Sequence, residues 1–142
     1  MFDDKIIVPD SLERLIADGV EGFTLLARLP YYRGLGLSMV EDIDVTVDGE
    51  KVPRENIRFS VRGRTWTLDA METEYGDRWN FGEKARILVK KPGGLHAGEH
   101  EVEVAVRMRI SYLPMVPTTR DRKRMKLRDR KQVGNDTVGA ST

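Results

Sequence analysis

The chain has 142 residues, 39% of them hydrophobic and 33% charged, with a formal net charge of +1. That length suits one domain able to bury a core without crosslinks. The lack of any cysteine excludes disulfide frameworks, thiolate nucleophiles and cysteine-based metal sites.

Met1 to Ile7 show neither a basic start nor a long apolar run, and no stretch approaches the roughly 18 apolar residues of a membrane span. The expectation is a soluble, cytoplasmic protein with no membrane role. Asp10 to Asp18 fits two descriptions: a helical turn capped by Asp10 or Ser11, with Leu12, Leu15 and Ile16 on one side, or an edge strand over Leu12 to Ile16. Strand alternation begins with Phe23, Leu25, Ala27 and Leu29. It resumes in Ile43, Val45 and Val47, in Ile57, Phe59 and Val61, in Trp66 and Leu68, and in Ala85, Ile87 and Val89. Asp48-Gly49 and Arg62-Gly63 read as tight hairpin turns, because glycine takes the positive φ these turns require. Residues 69 to 82 have no clean period and read as a long loop with aromatic anchors. Pro92-Gly93-Gly94 and Gly98 mark the loop before the last strand.

The strongest signal runs from Glu99 to Tyr112. Val102, Val104, Val106, Met108, Ile110 and Tyr112 alternate with Glu101, Glu103, Ala105, Arg107, Arg109 and Ser111, the period of a strand with one buried and one wetter face. These short strands, with no amphipathic helices between them, predict an all-β fold: a single antiparallel β-sandwich of jelly-roll or immunoglobulin-like kind over residues 1–117. After Pro114 and Pro117 the hydrophobic pattern stops. Residues 118–142 read as a basic C-terminal tail, mobile from about Arg128 onward.

Charge is unevenly shared. Eight Lys or Arg against three Asp give the last 25 residues +5, which leaves −4 on the first 117. A nucleic-acid domain puts its positive charge on its folded face, so a nucleic-acid role is disfavoured.

Catalytic signals are weak. His96 and His100 lie four apart in a glycine-rich loop and at a strand start, where spacing does not fix their directions, and both read as ordinary, partly exposed side chains. Ser11, Ser38, Ser60 and Ser111 lie in no nucleophile elbow. Gly34-Leu35-Gly36 lacks the third glycine and the helix of a phosphate loop. No catalytic residue and no metal ligand is therefore assigned to this chain.

Two stretches stand outside the strand pattern. Tyr31, Tyr32 and Arg33 sit between Pro30 and Gly34, and Arg78 and Trp79 open Arg78-Trp-Asn-Phe-Gly82. Tyrosine, tryptophan and arginine combine large stiff surfaces with a polar end, which suits them to stack on a ring or anchor an interface. These five are the candidate partner- or substrate-proximal residues. The residues alone support a binding or assembly module.

The chain also carries Arg28-Leu-Pro-Tyr-Tyr-Arg-Gly34, Val40-Glu-Asp-Ile43, Val47-Asp-Gly-Glu50, Val52-Pro-Arg-Glu-Asn-Ile-Arg-Phe59, Met71-Glu-Thr73, Arg78-Trp-Asn-Phe-Gly82, Val89-Lys-Lys-Pro-Gly-Gly-Leu95 and Arg109-Ile-Ser-Tyr-Leu-Pro114. In this set and order it resembles the small β subunit of bacterial C-glycoside deglycosidases. The resemblance implies a hetero-oligomer with a larger α subunit that looks like a sugar isomerase barrel, holds a divalent metal, commonly manganese, and supplies the acid–base groups. It implies a carbon–carbon lyase acting by elimination on a 3-keto C-glycoside at a shared site, with this chain as the non-catalytic subunit and no cofactor of its own. The alternative is a stand-alone carbohydrate-binding module.

Overall fold

The computed structural model describes residues 6–17, 19–29, 34–80, 82–109 and 118–128. In chain order the elements are β1 (Glu13–Ala17), β2 (Val20–Arg28), β3 (Leu35–Gly36), β4 (Val40–Val47), β5 (Glu50–Lys51), β6 (Ile57–Val61), β7 (Arg64–Thr67), α1 (Leu68–Met71), β8 (Arg78–Trp79), β9 (Lys84–Lys90), β10 (Glu99–Met108) and β11 (Thr118–Lys126). They form a five-stranded sheet ordered β1-β2-β9-β6-β7, a four-stranded sheet ordered β11-β10-β4-β5, and a ribbon of β3 with β8. Every ladder is antiparallel. The expected all-β sandwich is what the chain adopts. No helix among the described residues is long and apolar enough to cross a membrane.

The alternation explains the layers. Phe23, Leu25, Ile57, Phe59, Ile87 and Val89 from the first sheet join Ile43, Val45, Val102, Val104 and Val106 from the second in one buried cluster. Each such side chain contributes about 1.5–3 kcal/mol relative to exposure. Both expected hairpin turns form. Asp48 and Gly49 have φ of 50° and 83°, and Arg62 and Gly63 have 52° and 82°, the two successive positive values of a type I′ turn, whose twist matches the flanking strands. At Gly22 the need is space rather than φ: a Cβ there would lie 1.9 Å from the Val89 carbonyl oxygen on the paired strand.

Of the two descriptions open for Asp10 to Asp18, the strand holds. β1 has β2 as its ladder partner at the end of the sheet. Upstream, Ile6 to Val8 also run along β2, Arg28 donating to the Ile6 carbonyl at 2.7 Å and Val8 to the Leu26 carbonyl at 2.9 Å. The chain jogs between these two pairings, and Ser11 bridges the jog. Its Oγ donates to the Val8 carbonyl at 2.7 Å and accepts the Leu26 N–H at 3.1 Å.

The boundary at residue 117 is corrected. Residues 118–126 are not tail but β11, paired with β10 from Glu99↔Lys126 to Arg107↔Thr118. Thr119, Asp121, Lys123 and Met125 turn toward the core, while Arg120, Arg122, Arg124 and Lys126 are exposed. Asp121 is 4% exposed overall. Its Oδ2 accepts the Ile7 N–H at 2.8 Å and Lys123 Nζ at 2.9 Å, so one carboxylate ties the last strand to the first residues. Residues 129–142, where the mobile tail was expected, lie outside the described residues.

Candidate functional site

The residues that follow the first unexplained stretch, from Gly34 on, meet the second in space. β3 begins two residues after Arg33, and it pairs with β8, Leu35 opposite Trp79 and Gly36 opposite Arg78. A Cβ on Gly34 would sit 3.2 Å from Arg78 Nη2 and 3.4 Å from Asn80 Oδ1. The chain leaving Arg33 therefore runs directly against Arg78 and Asn80. Tyr31, Tyr32 and Arg33 themselves, like Phe81, lie outside the described residues.

Within β8 the alternation of a strand separates two neighbours. Arg78 is exposed and Trp79 is fully buried. The reading of Trp79 as a surface group is thereby corrected: its ring meets Phe59 edge-on, with centroids 5.0 Å apart and planes at 66°, and its Nε1 donates to the Glu83 carbonyl at 2.9 Å. Both demands of a buried tryptophan, apolar packing and a partner for its N–H, are met internally. Trp79 thus serves the surface by holding Arg78 and Asn80 in place.

A polar network surrounds this end of the sandwich. From the β6–β7 turn, Arg62 donates to Glu83, to Asp77 and, at 2.6 Å, to the Arg78 carbonyl. Arg64 reaches Asp77 Oδ2 at 3.0 Å and lies 4.9 Å above the Trp66 ring. Trp66 Nε1 in turn donates to Glu74 Oε1 at 3.0 Å. The hydrogen bond from the Arg78 N–H, followed by those from Arg62, holds the Asp77 carboxyl below its ordinary range. For Glu83, burial works in the opposite direction, but bonds from Arg62 and Asn80 outweigh it and lower its pKa. Thr67 begins α1 by accepting the Ala70 N–H at 3.0 Å, a short-helix cap. The stretch read as a long loop with aromatic anchors over 69–82 holds, among its described residues, a helical turn, a pinned bend and a two-residue strand.

The histidines are the other titratable feature. His100 is 2% exposed, not the partly exposed side chain expected. Its Nδ1 lies 2.6 Å from Asp48 Oδ2 and its Nε2 lies 2.7 Å from the His96 carbonyl oxygen. Both facing atoms are acceptors, so the ring satisfies both contacts only when both nitrogens carry protons. Burial by itself lowers its pKa, but the bonds to Asp48 and His96 outweigh it and raise the value above 6.5. The bond from His100, then the Glu101 N–H, lowers Asp48 below 3.8.

The stabilising share of His100 is complete below pH 6.5 and is lost as pH rises through its raised folded pKa. That of Asp48 is complete above 3.8 and is lost as pH falls through its lowered value. The pair is thus strongest between these limits. Asp48→Asn is expected to cost about 1 kcal/mol, less than a fully buried charge-assisted bond because the Asp48 side chain is 47% exposed. It should also bring the His100 titration, followed by NMR of the ring protons, down toward 6.5; an unmoved titration would rule out the charge pair.

With its two nitrogens so engaged, His100 offers no lone pair to a metal. The carboxylates of Asp42, Asp69 and Glu72 gather around a cation already in the chain, the Arg54 guanidinium. Among the described residues, no group of three His, Asp or Glu is arranged to hold a metal ion.

Comparison with known proteins gives this arrangement its context. A family model described as C-glycoside deglycosidase beta subunit matches residues 2–112. The chain is 40% identical over 116 residues to the 3'-dehydrocarminate deglycosidase beta subunit of a Microbacterium sp, covering 81% of this chain and 83% of that one. It is 34% identical over 98 residues to a C-glycoside deglycosidase beta subunit of Arthrobacter globiformis, covering 68% and 74%. A protein of the same description from Eubacterium cellulosolvens is 32% identical over 97 residues, covering 68% and 66%. The matched region takes in both sheets up to β10 and the β3–β8 ribbon with its network, and on that extent the chain belongs to the C-glycoside deglycosidase beta subunit family.

Proposed function

We propose that this chain is the smaller, non-catalytic subunit of a cytoplasmic carbon–carbon lyase that cleaves 3-keto C-glycosides. It docks on a larger barrel-type subunit and completes that subunit's active site. The observation that carries the reading is the 40% identity, across both sheets, to a beta subunit whose name specifies a 3'-dehydro substrate. The engagement of His100 and of the Asp42, Asp69 and Glu72 carboxylates within the chain agrees with the acid–base groups residing elsewhere.

The chemistry follows from the ketone. A carbonyl at C3 makes the C2 proton acidic, so a base can remove it. The electron pair left at C2 becomes the C1–C2 double bond as the bond from C1 to the aglycone breaks. The aglycone carbon leaves with that bond's pair and takes a proton, so the elimination is balanced without an oxidant. A divalent metal, manganese by family resemblance, would polarise the ketone from the larger subunit. This chain's share is to close the site and exclude water, with Tyr31, Tyr32, Arg33 and Arg78 nearest the partner or substrate and Trp79 supporting Arg78 from the core side.

The test is reconstitution. Turnover of a 3-keto C-glycoside is expected with both subunits mixed and at least 100-fold less with either alone, as for a site that binding must complete. Full turnover by the larger chain alone would overturn the proposal. Sugar affinity of this chain, with no association, would favour the stand-alone binding module.

A further inference from the structure

Tyr75 is 80% exposed, and the other large apolar side chain exposed among the described residues is Ile16 at 69%. A single exposed tyrosine needs no explanation. What distinguishes this one is how firmly the backbone on either side of it is held. Before it, Glu74 accepts Trp66 Nε1 at 3.0 Å and the Gly76 N–H at 3.1 Å, and its own N–H donates to the Met71 carbonyl at 3.1 Å. After it, Asp77 accepts from Arg62 and Arg64, and its carbonyl takes the Leu37 N–H at 3.1 Å. Groups from β7, α1 and the segment following β3 thus fix the bend, while the ring at its tip faces water.

Such a bend has already met the conformational cost of ordering its backbone. The ring it carries has only two side-chain torsions left to lose on docking. We infer that Tyr75, with Arg78 three residues further on, is an anchor by which the chain seats itself in a pocket of the larger subunit. The inference rests on the subunit reading above. Shape favours a protein over a sugar. Small ligands are held in concave sites with convergent polar groups, whereas Tyr75 projects, and the carboxylates beside it are committed to Arg62, Arg64 and Trp66. A projecting aromatic with an exposed arginine three residues further on has the residue types of an interface hot spot.

The test uses the full chain and the larger subunit of the proposed complex, with affinity measured by calorimetry. Tyr75→Ala should weaken association about 30-fold or more, while the isolated variant melts where the parent does. Tyr75→Phe, which keeps the ring, should restore most of the affinity. If the parent chain associates and Tyr75→Ala associates within about threefold of it, the anchor is refuted and the subunit reading stands. If Tyr75→Ala instead raises KM at unchanged affinity, Tyr75 touches substrate and the anchor is again refuted. If the parent chain associates with no larger subunit, both fall.

Discussion

A chain stopped after Pro117 is expected to show no cooperative thermal transition, while one stopped after Arg128 should melt close to the full-length protein. The first cut removes β11 and, with it, the partner of all of β10 from Glu99 to Arg107. Met125 and Leu127 leave the core, at about 1.5–3 kcal/mol each. Ile7 loses the carboxylate that accepts its N–H, and Val102, Val104 and Val106 gain a water-facing edge. Against a net stability of about 5–15 kcal/mol for a domain, these losses are decisive. The second cut keeps every contact described, including the Arg128 carbonyl that accepts the Arg14 N–H at 2.8 Å. Circular dichroism on the two truncations decides; a normal melt after the Pro117 cut would mean that β11 is dispensable.

Replacing Trp79 with alanine is expected to destabilise the isolated chain by about 3–5 kcal/mol in urea unfolding, the range for emptying a large buried aromatic site. The ring is fully buried, packs on Phe59 and donates to the Glu83 carbonyl. Arg78→Ala, one residue away and exposed, should change stability by no more than about 0.5 kcal/mol. Similar small losses from both would place Trp79 outside the core. In the assembly, loss of activity by the Trp79 variant should track loss of fold, while loss by the Arg78 variant should appear as weakened association at normal stability.

These contrasts mark what the sequence could and could not say. β10, β9, β6 and β4 were legible because one face of each is a run of apolar residues at period two, and Asp-Gly and Arg-Gly named their turns through φ. β11 was not, because its inward positions are Thr119, Asp121, Lys123 and Met125. An inward carboxylate satisfied by an amine two residues on and an amide 114 residues away leaves no trace in a hydrophobic pattern. Trp79 was read as a surface group for a related reason: a strand of two residues has no period, so which neighbour turns inward is settled by Phe59 across the core. Residues 31–33 and 78–79 were grouped on composition, and the pairing of β3 with β8 sets Gly34, Leu35 and Gly36 beside residues 78–80. His100 was underestimated because its value lies in two acceptors, one of them the carboxylate of a distant hairpin turn.

The placement of β11 at the end of its sheet has a consequence for colloidal behaviour. A nine-residue outer strand is a template on which a second molecule could extend the sheet. Here Arg120, Arg122, Arg124 and Lys126 project from it at every second position, the last three facing Glu103, Glu101 and Glu99 across the ladder, so a second copy pairing edge to edge would set its own basic row beside this one. The positive charge that resembled a tail is, in the folded protein, expected to act as a barrier to such pairing. Since that barrier is a surface field, it shortens to about 3 Å in molar salt, and it is there, not at low ionic strength, that this edge becomes adhesive.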